Sequence, residues 1–139
     1  MWQLDPERPR REYPENSFTA IGTVVRYLMG IHPIAPESVI ETKPRLPSEV
    51  AWAEVAHVPV LANEIGVRHV GLTETRFRNE SGRTVRWRAV FPGTHETIEV
   101  DGRRTSPVVR TSEGEGVESA IEVDVPPGRE CTVRAIGGA

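Results

Sequence analysis

Apolar positions along this chain recur with two different periods, and the change between them falls near residue 38. Before it, Phe18, Ile21, Val24, Val25, Leu28 and Met29 repeat at helical spacing and form one apolar stripe. Asn16 and Ser17 stand where side chains accept from the free amides of a first helical turn. Gly30 stands where a left-handed C-cap is wanted, and Pro33 prevents continuation, so the pattern predicts a helix over 16–30. Residues 1–14 carry prolines and charges and read as an extended arm. A helix of roughly four turns is marginal in water by itself, so this one needs a surface to pack on.

From Ser38 onward the period shortens to two. SVIET (38–42) and VAWAEVAHVPVLA (50–62) read as strands. IGVRHVGLTETRFRN (65–79) and RTVRWRAVF (83–91) flank NESG (79–82), which reads as a hairpin turn. HETIEV, SPVVRT, SAIEVDV and RECTVRAI complete the series, separated by Asp101-Gly102, by the acidic stretch SEGEG (112–116) and by Pro126-Pro127-Gly128. SEGEG reads as a flexible loop. In 83–91, Val85, Trp87, Ala89 and Phe91 point one way and Thr84, Arg86 and Arg88 the other, so one face is buried and one is wet. The expectation is a mainly β fold, an antiparallel β-sandwich of about seven or eight strands with one N-terminal helix, forming a single domain over 15–139.

Composition narrows this further. A chain of 139 residues supports one core, and 37% hydrophobic with 27% charged residues marks an ordinary folded domain. The net charge of −3 gives no bulk signal for a nucleic-acid partner. One cysteine, Cys131, excludes an internal disulfide and a multi-cysteine metal site. The first residues lack an apolar signal-peptide core and no apolar run is long enough to span a bilayer. A cytoplasmic location without membrane attachment is therefore expected.

Candidate chemistry is sparse. His32, His57, His69 and His95 are scattered, with no pair at a helical or tight-turn ligand spacing, and read as isolated polar residues of strand surfaces and loops. Glu54, Glu64 and Glu74 offer carboxylates, but nothing in the sequence pairs them across a substrate. No G-x-S-x-G elbow exists, and Cys131 sits in a strand pattern as a small buried hydrophobe. No catalytic residue, cofactor or metal ligand is expected. Arg68, Arg76, Arg78, Arg83, Arg86 and Arg88 crowd one predicted hairpin, with Glu74, Glu80, Glu96 and Glu99 near enough to face them. They read as a solvated face and not as a phosphate site. Trp87 belongs with the core, while Trp52 and Trp2 remain candidate stacking platforms for carbohydrate.

Met1-Trp2, Asn16-Ser17-Phe18 and Tyr27-Leu28-Met29-Gly30-Ile31 with Pro33 together resemble the end of a bacterial six-hairpin glycoside hydrolase, α-L-rhamnosidases in particular. Pro44, Leu46, Pro47, Trp52 and Val58-Pro59-Val60 continue the likeness, and the second half shares only the strand pattern. The stretch Phe18-Thr19-Ala20-Ile21-Gly22 departs from the more polar segment usual in that family. In such enzymes the last helix of an (α/α)6 barrel runs directly into a C-terminal β-sandwich. The acid and base carboxylates belong to the barrel, so none carries over to a residue here. The resemblance thus implies a non-catalytic accessory or interaction module. A carbohydrate-binding module using Trp2 or Trp52 is the alternative, and a small stand-alone enzyme is a third. Without barrel neighbours the stripe of Phe18, Ile21, Val24, Val25, Leu28 and Met29 is expected to meet a second copy of itself in a homodimer.

Overall fold

A computed structural model describes residues 27–34 and 38–137. These form eleven strands: β1 (His32–Ile34), β2 (Val39–Thr42), β3 (Trp52–Val60), β4 (Asn63–Val70), β5 (Glu74–Ser81), β6 (Val85–Pro92), β7 (Thr97–Val100), β8 (Arg103–Thr105), β9 (Val108–Ser112), β10 (Gly116–Val125) and β11 (Glu130–Ile136). They make a β-sandwich. Sheet A runs β1-β2-β6-β10-β9 and sheet B runs β3-β4-β5-β11-β7-β8. Neighbours are antiparallel except β2 and β6, which run parallel.

The alternation read in 83–91 is the alternation observed. Val85, Trp87, Ala89 and Phe91 face inward from β6 and are buried, while Arg86 and Arg88 face outward. Trp87 stacks on Phe77 of the opposite sheet at 4.9 Å between ring centroids, and its indole N–H donates to Thr42 Oγ1 at 2.9 Å. The indole's one polar atom is thereby satisfied at full burial. Ile65, Val67, Ile98, Cys131 and Val133 close the core from sheet B. Burial raises the Cys131 thiol to about 12, which removes it as a nucleophile at neutral pH.

The hairpin expected around 79–82 is corrected. Segment 65–79 is two strands, β4 and β5, joined at 71–73, where Gly71 takes φ 60°. The stretch after β5 instead crosses from sheet B to sheet A. Buried Asn79 fixes the crossing by donating to the carbonyls of Arg83 (2.7 Å) and Val125 (2.9 Å). Asn63 donates to the same Arg83 carbonyl at 2.7 Å. At Gly82, with φ 114°, a Cβ would lie 2.7 Å from the Asn63 side chain. The arginines of the supposed hairpin are therefore divided between opposite sides of the molecule.

The helix's described end, 27–29, puts Met29 into the sandwich's own core at 2% exposure. Gly30 turns the chain with φ 61°, and a Cβ there would meet the Lys43 carbonyl oxygen at 2.0 Å, so only glycine fits. The Leu28 carbonyl accepts from the Arg45 amide at 3.1 Å. The Met29 carbonyl accepts from His69 Nε2 at 2.8 Å, and His69 Nδ1 meets Thr75 Oγ1 at 2.8 Å. Phe18, Ile21, Val24 and Val25, the arm 1–14 and Trp2 lie outside the described residues.

Two of the four histidines depart from the surface reading. His69 is fully buried, and burial lowers its pKa to about 4, keeping it a neutral latch between the helix end and sheet B. His95 is buried between the carbonyl oxygens of Gly137 and Pro92. The loop 112–116 is also tied down, since Glu115 accepts from Arg45 at 3.0 and 2.9 Å and approaches Lys43 at 3.3 Å.

Candidate functional site

Sheet B's outer face is built from the alternate residues of β3, β4, β5 and β11. Strand pairing sets Trp52 beside Val70, Glu54 beside Arg68, Gly66 beside Arg78 and Arg78 beside Glu130. Gly66 contributes no side chain to this face, and a depression of about 190 Å³ opens over it. Glu54, Arg68, Arg76, Arg78, Glu80, Glu130 and His57 line it. Because acids and arginines balance, the hollow presents closely spaced donors and acceptors without a strong net field.

Trp52, two residues before Glu54 on β3, adjoins it through Arg68. The ring remains about half exposed (52%), and the Arg68 guanidinium lies over it at 4.3 Å from the centroid. This contact holds the indole in place while leaving much of its surface to solvent. Arg68 reaches Glu54 only loosely, at 3.7 Å, and its buried Nε has no hydrogen-bond partner. Among the described residues no ion pair forms with Arg78. This face thus retains unmet hydrogen-bonding capacity, which is uncommon for buried polar atoms.

Irregularities in the strands shape the other end of the hollow. β3 slips register against β4 between Val55 and Val58, and His57, in this bulge, adopts φ 56°. β5 slips against β4 as well, leaving Glu80 as the extra residue between Asn79 and Ser81. Both bulges turn their extra side chains toward Glu64 on β4 between them. His57 Nδ1 lies 2.8 Å from Glu64 Oε1 and 2.7 Å from Glu80 Oε1, and the His57 amide donates to Glu80 Oε2 at 2.8 Å. The hydrogen bond to Glu64 and then the charge of Glu80 raise the imidazole's pKa. The ligating atoms of His57, Glu64 and Glu80 all lie within 4.8 Å of one another. Nothing in the local sequence marks this group, because two of its members arrive by bulges.

Of the residues singled out from sequence, the structure brings Trp52, Glu54, Glu64, His57, Arg68, Arg76 and Arg78 onto one face. It separates from them Arg86 and Arg88, which lie on sheet A. Glu74 is engaged by Arg134 at 2.9 Å and Arg76 at 3.4 Å. A second, more open hollow of about 400 Å³ lies on sheet A beside Val108 and Ala120, but its charges already pair with neighbours: Arg88 with Glu122 at 2.8 Å and Arg110 with Glu118 at 2.7 Å. No described helix is long and apolar enough to cross a membrane. Comparison with protein-family models, with curated proteins and with solved structures finds no match.

Proposed function

We propose that this chain is a non-catalytic β-sandwich module that binds carbohydrate on the outer face of sheet B. Its wider role is that of an accessory domain of the kind that follows a glycoside-hydrolase barrel. The observation that carries the reading is half-exposed Trp52, steadied by Arg68, beside a shallow hollow lined with arginines and carboxylates. Stacking of a sugar's apolar face on an indole, with planar guanidinium and carboxylate groups reaching its hydroxyls, is the recognition chemistry such a surface offers. The described residues 27–29, keyed into the sandwich core through Met29 and His69, support the accessory-domain part.

Calorimetric titration of the full chain with rhamnose-containing, other neutral and acidic oligosaccharides tests the proposal. At least one neutral saccharide should bind, and Trp52→Ala should weaken it about tenfold or more, the scale of a central tryptophan in an interface. Absence of binding across the panel, or binding that ignores Trp52→Ala, would reject it.

A further inference from the structure

We propose that His57, Glu64 and Glu80 form a binding site for one divalent transition-metal ion of the Zn²⁺ type. The three side chains come from three adjacent strands, and two of the strands break register to deliver them. Two carboxylate oxygens stand 2.8 and 2.7 Å from a single ring nitrogen, Nδ1. That nitrogen carries at most one proton, so it cannot serve both acceptors with a full hydrogen bond. An ion sitting between the three groups satisfies all of them at once.

The donor set fits this class of ion. One imidazole nitrogen with two carboxylates is a mixed N/O set, and the carboxylates balance the ion's charge. Ligand atoms within 4.8 Å of one another can close on an ion at about 2.0–2.2 Å by small side-chain rotations. Glu80 is held for the purpose: its side chain is 13% exposed, and its other oxygen is fixed by the His57 amide. Gly66 leaves it room, since a Cβ there would stand 3.0 Å from Glu80 Oε2. His57 is exposed, so further coordination positions open to solvent. The site does not depend on saccharide binding.

The test uses the full chain, freed of metal with chelator and then titrated with Zn²⁺ alone by calorimetry. One equivalent should bind in the micromolar range. His57→Asn, which keeps a residue tolerant of positive φ, and Glu64→Gln should each weaken binding by at least about tenfold, while unfolding midpoints in chelator stay put. Co²⁺ added to the unmodified chain should give the visible absorption of a low-coordinate site. No saturable Zn²⁺ binding, binding unchanged in both variants, or a purely aqueous-type Co²⁺ spectrum would each overturn the assignment.

Discussion

On the outer face of sheet A, Arg88 reaches Glu122 at 2.8 Å and Glu41 at 3.3 Å, and Arg110 reaches Glu118 at 2.7 Å and Glu41 at 3.1 Å. Lys43, itself buried, closes on Glu118 at 2.8 Å. On the outer face of sheet B the same residue types leave gaps: Arg68 holds Glu54 only at 3.7 Å, Arg68 Nε is unpartnered, and Glu64 and Glu80 share one histidine nitrogen. The physical difference is in the strands. β6 and β10 pair without interruption from Glu118↔Pro92 to Val125↔Val85, so opposite charges meet directly. β3, β4 and β5 carry two bulges and a side-chain-free Gly66, so their charges converge on a hollow instead. Charge content therefore says little about use, whereas pairing says a great deal. The first face spends its charges on holding the sheet, and the second keeps some for a ligand.

The strongest way to break this contrast is at Glu118. Burial pulls its pKa upward, and hydrogen bonds from Lys43 and Arg110 more than offset that, so the carboxylate stays ionised with its pKa below the usual range. Glu118→Gln keeps the shape but takes the nearer carboxylate from the buried Lys43 ammonium, leaving it only half-exposed Glu115 at 3.3 Å. A loss of about 3 kcal/mol is expected in urea unfolding, the scale for removing one member of a buried ion pair. Saccharide and Zn²⁺ binding on sheet B should persist in the folded fraction. A stability change within error would show that the sheet A network is as dispensable as scattered surface pairs.

The sandwich itself was legible because β6 alternates from Val85 to Ala89 and because Asp101-Gly102 and Pro126-Pro127-Gly128 are strong turn formers; the residues Asp101, Gly102 and Gly128 all take positive φ. Segment 65–79 misled because its apolar and polar residues alternate on both sides of Gly71, and one glycine inside a strand pattern reads equally as a bulge or a turn. Asn79, which decides where the chain changes sheets, acts through carbonyls of Arg83 and Val125 that local sequence cannot place beside it. His69 escaped for the same reason, since its partner is the Met29 carbonyl forty residues away in sequence. The site was legible only in Trp52. His57 and Glu80 are brought in by register slips, and a register slip leaves no mark in a periodicity count.

Acid should sharpen the contrast by a smaller amount. The Arg45 hydrogen bond and, after it, the Lys43 contact hold Glu115 at about 2 against the influence of burial, well below the ordinary carboxylate value of 4.5. A pKa lower in the folded chain than in the unfolded one stabilises the fold above the unfolded value and ceases to do so as pH falls toward the folded one. Glu115 should therefore contribute fully at neutral pH and lose its contribution between about pH 4.5 and pH 2. Its side chain is 37% exposed, so screening limits the effect to about 1 kcal/mol or less. Urea midpoints of the wild type and Glu115→Gln should differ near neutral pH and converge in acid. Curves that stay parallel down to about pH 2 would mean that the 112–116 loop is not held by this pair.

The smallest expected change in stability is the most telling for function. Arg78 sits on β5 with its side chain exposed over the hollow, opposite Gly66 on one side and Glu130 on the other. Since no ion pair among the described residues engages it, Arg78→Ala removes no interaction that the fold relies on. Its unfolding free energy should stay within about 0.5 kcal/mol of wild type, as for surface substitutions away from specific contacts. A guanidinium held in reserve for a ligand has the opposite profile in binding. Saccharide affinity should drop by about tenfold, near the value of one charge-assisted hydrogen bond, while the Zn²⁺ isotherm at His57 is unaffected. A variant that loses stability and keeps full saccharide affinity would reverse the roles assigned to the two faces, because Arg78 would then be one more structural charge.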